Sequence, residues 1–195
     1  MLNCFSNIRI GLMVGIAGGV PSEKHDVRLG DVVVSAPRDG EGGVFQYDFG
    51  KKIQGQSFQY TRILNQPQGI QAKYEIHGHR LEEAINNILN TKAKKLRRKY
   101  GRPEPITDRL FQPEVIHDST CGATVCAYGS SNLVPRRDRT EHDDNPAIHY
   151  GLIASANQLM KDASIRDCLA AEKDVLCFEL EAAGPVNHFP SLINQ

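Results

Sequence analysis

Short apolar runs alternate with longer polar stretches along this chain. "IRIGLMVGI", Ile8 to Ile16, is largely apolar and closed by glycines, which predicts a buried strand. "DVVVS", Asp31 to Ser35, predicts a second, its three consecutive valines suiting burial on both faces. Between them, Pro21 to Gly30 is polar and has the length of a surface loop. "GGVFQYDFG", Gly42 to Gly50, predicts a third strand through Val44, Tyr47 and Phe49.

From about Gln71 to Tyr100 the period changes. Leu81, Ala84, Ile85, Ile88 and Leu89 share one helical face, so Leu81 to Leu89 predicts an amphipathic helix, and Pro103 and Pro105 punctuate its end. Arg102 to Pro146 reads as loop with one or two short strands. "IHYGLIAS", Ile148 to Ser155, predicts a strand running into a ligand-side loop. Ser164 with Asp167 resembles a capping box and opens a helix through Ala171. "DVLCF", Asp174 to Phe178, predicts another buried strand, and Glu179 to His188 begins a further helix.

Strands alternating with helices imply an α/β domain with a largely parallel or mixed sheet. The chain reads as one domain over residues 1–195, with a helical and loop-rich insertion at about 70–146. Ligands of such sheets sit at the carboxyl ends of strands, where Gly15 to Gly19 and Phe178 to Glu181 both fall.

Composition narrows the class. With 195 residues, 40% hydrophobic and 24% charged, the chain reads as ordinary soluble globular protein. Lys plus Arg equals Asp plus Glu at 23 each, so global charge argues for neither a nucleic-acid nor a membrane partner. "KAKKLRRKYGR", Lys92 to Arg102, is the local exception, read as a solvated helix end with a nucleic-acid or anionic-surface patch as the alternative. No signal peptide or bilayer-length apolar run is visible. Five scattered cysteines, an odd number, fit a reducing compartment, so the expected location is cytoplasmic.

The candidate chemistry is sparse. In "GLMVGIAGGVP" the glycines fall at 11, 15, 18 and 19, matching neither a dinucleotide fingerprint nor a P-loop. Two readings stand: a turn that lets a small ligand touch the main chain, or a tight structural turn. His117, Cys121 and Cys126 make a weak metal pattern, and His77 and His79 read as an exposed pair, so no metal site is expected. No G-x-S-x-G elbow occurs, and the cysteines read as small core residues. In "CFELEAAG", Cys177 to Gly184, two carboxylates follow a buried strand. One of Glu179 and Glu181 can face a pocket, and the other the core or solvent. Such a carboxylate accepts hydrogen bonds from vicinal hydroxyls, or else simply suits a helix N-terminus.

"MVGIAGGVP", "RLGDVVVS", "HYGLIASANQLMKD" and "CFELEAAG", in that order, resemble the superfamily of purine nucleoside phosphorylases, uridine phosphorylases and methylthioadenosine nucleosidases. "QYDFG", Gln46 to Gly50, and the helical insertion are similar to fungal domains of this type, which are often fused to other modules. The resemblance implies a three-layer α/β sandwich around a mixed, partly barrel-like sheet. It implies a nucleoside-binding domain that, when complete, cleaves the N-glycosidic bond with phosphate or water, usually as a homo-oligomer and without a cofactor. It carries Glu181 and Leu180 to the ribose, Phe178, Ala17 and Gly18 to the base, and Gly15 and Ile16 to the turn beside the ligand.

Met13 and Ile16 stand where phosphorolytic members bind phosphate, and neither side chain donates a hydrogen bond. Phosphate thus remains only an optional co-substrate, and hydrolysis is preferred. The family's upstream glycine-rich loop falls before Met1, and its base-protonating aspartate falls past "NHFPSLINQ". The resemblance therefore implies a domain incomplete at both ends, its sheet short of strands, with no catalytic residue to name. The alternative is a non-catalytic nucleoside-sensing or interaction module, or an inactive remnant.

Overall fold

The computed structural model of the protein describes residues 11–37, 42–51, 59–63, 68–92, 94–102, 104–115, 132–140, 142–181 and 191–194. Eight strands are present among them: β1 (Gly11–Val14), β2 (Gly18–Gly19), β3 (Val32–Ser35), β4 (Val44–Lys51), β5 (Gln59–Ile63), β6 (Ile148–Ser155), β7 (Val175–Glu179) and β8 (Ser191–Asn194). They follow the order β1-β8-β3-β6-β4-β5, with β7 added to β6 and β2 to β7. Parallel pairs at β1–β8, β3–β6, β4–β6 and β6–β7 combine with antiparallel pairs at β2–β7, β3–β8 and β4–β5. The α/β class with a mixed sheet is therefore present. The expected barrel-like closure is not: β1 and β5 end the path, and the sheet stays open.

Strand β6 organises the sheet because it is long enough to hold two partners in succession. The Gly151 carbonyl accepts from Ala36 N at 2.9 Å, and Ile153 N donates to the Gly43 carbonyl at 3.0 Å. Residues 151 and 153 expose their backbone groups on the same edge, so β3 and β4 follow one another along it. Gly43, at this crossover, has room for hydrogen alone: a Cβ there would stand 2.2 Å from Ser35 Oγ. The other edge of β6 takes β7, in the register Ile153↔Cys177 and Ser155↔Glu179. Two core clusters result, with Val33, Val44 and Ile153 in one, and Phe45, Ala154 and Phe178 in the other.

Strand β8 lies inside the sheet: Ser191 to Asn194 pair with β1 and, through Asn194, with β3.

The helices are α1 (Gln68–His77), α2 (Leu81–Asn87), α3 (Arg97–Tyr100) and α4 (Ala163–Lys173), with a π turn at Ile88–Lys92 after α2 and a 3-10 turn at Lys94–Leu96 before α3. The predicted helix at Leu81 is there, but its apolar face is not packed: α2 buries no residue, and Ile85 and Ile88 are exposed. Helix α4 does pack, setting Leu169 and Ala170 against the cluster of Val20, Phe45 and Phe178. Its cap differs from the expected one. Asp162, not Ser164, accepts from the backbone N–H of Ile165 at 3.0 Å, because the helix starts a residue earlier than Ser164. Asp174, predicted to open a strand, instead ends α4 in the left-handed region at φ 56°.

The loop at 20–31 is fastened by charge. The Asp31 carboxylate, 0% exposed, accepts from Arg139 Nη1 at 2.7 Å and from Arg139 Nη2. It also pairs with His149 Nε2 at 2.9 Å and accepts from the N–H groups of Arg28 and Ala147 at 3.0 and 3.1 Å. Burial alone would raise this carboxyl; the five hydrogen bonds overcome that and hold it well below its usual range. Asp26 similarly receives Arg28 Nε and Arg136 Nε, each at 2.7 Å. Part of the insertion is thereby bolted to the loop before β3.

Candidate functional site

The register Ser155↔Glu179 brings the carboxyl ends of β6 and β7 side by side, with β2 against β7 through Gly18↔Phe178. A cavity of about 140 Å³ lies there, closed on one side by the start of α4. Gly19 allows the close approach on the β2 side, since a Cβ would stand 2.9 Å from Val27 Cγ1. As the non-hydrogen-bonded partner of Cys177, Gly19 turns its own N–H and C=O away from β7, off the sheet edge.

Aromatic rings form one wall. Tyr47 and Phe178 meet edge to face, with centroids 5.3 Å apart at 78°. The Tyr47 hydroxyl donates to the Gln158 carbonyl at 2.8 Å, which fixes the ring against the loop after β6. Burial, and then the nearby charges of Asp48 and Glu179, push this phenol above its ordinary value. Asp48 ties the same loop down, accepting from Asn157 N at 2.7 Å and Asn157 Nδ2 at 3.1 Å. Leu159, Met160 and Leu180 complete the apolar lining.

Two charged residues line this cavity, Glu179 and Arg166. Glu179 is only 4% exposed, and its Oε2 accepts from the Glu181 backbone N–H at 2.5 Å. Arg166, in the first turn of α4, donates through Nε to Asp167 Oδ1 at 2.6 Å.

Of the residues assigned from the sequence, Gly18, Phe178 and Leu180 line the cavity. Ala17 packs against the core instead, as does Met13. Gly15 is half-buried in the turn, while Ile16 is 97% exposed. Glu181 is exposed and contributes a backbone donor to Glu179, the glutamate of the two that lines the cavity. Glu179, expected to open a helix, instead ends β7; residues 182–190 lie outside the described residues. Tyr47 and Met160 have no local signal beyond their place in quoted motifs, and Arg166 lies in none of them.

The remaining candidates fall away from the cavity. His77 is exposed, but the His79 side chain is buried beside the Tyr74 ring and 3.6 Å from Asp144, correcting the exposed pair. Cys177 is a core residue whose thiol burial pushes up to about 12, whereas Cys168 is exposed. Cys4, His117, Cys121 and Cys126 lie outside the described residues. Among the described residues, no group of three or more His, Cys, Asp or Glu could hold a metal ion, and no helix is long and apolar enough to cross a membrane.

No family model matches the chain, and no solved structure matches it significantly. It is 39% identical, over 199 aligned residues, to a nucleotide-binding leucine-rich repeat (NLR)-like protein of Hyaloscypha variabilis. The alignment covers 99% of this chain and 19% of that protein, so the chain spans about a fifth of its relative's length. The expectation of a nucleoside phosphorylase or other glycosyl-transferring enzyme is corrected by this similarity. The relative's name describes a nucleotide-binding, repeat-containing protein, not an enzyme of nucleoside cleavage.

Proposed function

We propose that this chain is a non-catalytic, ligand-sensing module that works within a longer protein and holds a nucleoside-type ligand at the carboxyl ends of β6 and β7. The carrying observation is the combination of a buried carboxylate with an aromatic wall in one cavity. A planar base packs against Phe178 and Tyr47, and the Glu179 carboxylate accepts hydrogen bonds from sugar hydroxyls. A volume of about 140 Å³ admits one ring system, with the rest of the ligand at the mouth beside Leu159 and Leu180, both exposed.

Cleavage of a glycosidic bond needs an acid on the base side as well as a grip on the sugar. Among the described residues of the lining, Glu179 is the one carboxyl group, and it takes the sugar side. Tyr47 already donates its proton to Gln158 and is pushed further from acidity. The similarity to part of an NLR-like protein favours the same reading. Calorimetric titration with adenosine and inosine, with a parallel assay for free base, tests it. Saturable binding without base release is expected.

A further inference from the structure

We infer that the cavity's ligand carries a phosphate group held by Arg166, so that a nucleoside monophosphate is preferred over the bare nucleoside. This inference rests on the nucleoside-type reading of the cavity and specifies the ligand's charged end.

Arg166 differs from Arg28, Arg136 and Arg139, whose side chains are more deeply buried. Arg28, Arg136 and Arg139 each meet carboxylates of Asp26, Asp31 or Asp108 and also donate to backbone carbonyls, so their forks are absorbed by the fold. Arg166 spends only Nε, on Asp167. Its two terminal nitrogens make no hydrogen bond to any of the described residues, although the side chain is only 28% exposed and lines the cavity. A guanidinium in that state presents two parallel N–H donors, the arrangement that grips phosphate or carboxylate oxygens in a bidentate fashion.

The side chain is also held in place. Asp162 caps α4 by accepting from Ile165 N, its carbonyl accepts from Arg166 N at 3.0 Å, and Asp167 pins the guanidinium by its near edge. The first turn of α4 adds the positive end of the helix dipole. Glu179, at the other charged position of the lining, accepts donors, whereas Arg166 supplies them. The cavity therefore reads a ligand with hydroxyl donors at one end and an anionic acceptor at the other, which describes a sugar phosphate on a planar base.

The test titrates the 195-residue chain separately with adenosine, adenosine monophosphate and inorganic phosphate, in the wild type and in Arg166→Gln and Arg166→Lys. The monophosphate is expected to bind about tenfold or more tightly than adenosine. Arg166→Gln should erase that preference, with a thermal melt close to that of the wild type showing that the variant is folded, and Arg166→Lys should retain part of it. Equal affinity for the two ligands in the wild type, or a preference that survives Arg166→Gln, overturns the inference and leaves the nucleoside reading standing. Inorganic phosphate binding as tightly as the monophosphate overturns it in favour of a free-anion site. Absence of binding by both nucleoside forms overturns the nucleoside reading itself.

Discussion

The backbone N–H of Glu181 donates to the Glu179 carboxylate at 2.5 Å, so the two glutamates of "FELE" have different duties. Glu179 lines the cavity and is buried; Glu181 stands in solvent, and its backbone N–H helps hold its neighbour. Removing charge from the buried one should weaken adenosine binding about tenfold, the worth of a charge-assisted hydrogen bond pair. Glu181→Gln keeps the backbone donor and should stay within about twofold. Calorimetry on Glu179→Gln and Glu181→Gln separates the two, and a larger loss at Glu181 would transfer the sugar site to it.

The Asp31 clasp should dominate acid stability. Its carboxyl is depressed in the fold from an ordinary value of 3.8, so its contribution is fully present above that value. The contribution is lost as pH falls below it toward the folded value. Asp31→Ala should cost about 3–5 kcal/mol at neutral pH, because Arg139 and His149 are left without their partner. Urea unfolding at pH 7 and pH 3 checks both statements: the difference between wild type and variant should shrink at the lower pH.

Gly18 and Gly19 should respond differently to alanine. At Gly19 a methyl meets Val27 at 2.9 Å, an overpacking that costs about 1–3 kcal/mol. At Gly18 the nearest atom, the Phe178 carbonyl oxygen, is 3.9 Å away, an ordinary contact. Thermal melts of the two variants should therefore separate, with Gly19→Ala the lower.

Helix α4 should depend on Asp162. Asp162→Ala removes the accepting carboxylate at Ile165 N and should cost about 1 kcal/mol, while Ser164→Ala should stay within about 0.5 kcal/mol. Equal losses would restore the capping box predicted from Ser164.

How far the fold was legible depended on how local its signal was. The apolar runs at Val32–Ser35, Ile148–Ser155 and Val175–Glu179 announced their strands, because three or more consecutive apolar residues bury both faces of a strand. The two glycines of β2 and the four residues of β8 are too short for any period, and only their partners define them. At α4 both Asp162 and Ser164 are capping residue types, and tertiary packing decides which one serves. The helical spacing at Leu81 was correct about the helix, but spacing says nothing of what lies opposite the face.

The cavity drew on partly legible parts. Phe178 and Leu180 were marked by one motif, while Tyr47 and Arg166 come from elements more than 100 residues apart that meet only through the sheet. Asp31 and Arg139 are likewise 108 residues apart, so their pairing lies beyond any local pattern. Alternation puts residues 179 and 181 on one face of an extended chain, and it is the end of β7 at Glu179 that lets the two glutamates differ in burial.

The most direct measurement is a calorimetric titration of the protein with adenosine, followed by chromatography of the same mixture for free adenine, with and without phosphate. Saturable one-site binding, weakened in Glu179→Gln, with adenosine recovered intact, is the predicted result. Adenine released at a rate that Glu179→Gln abolishes would contradict the account.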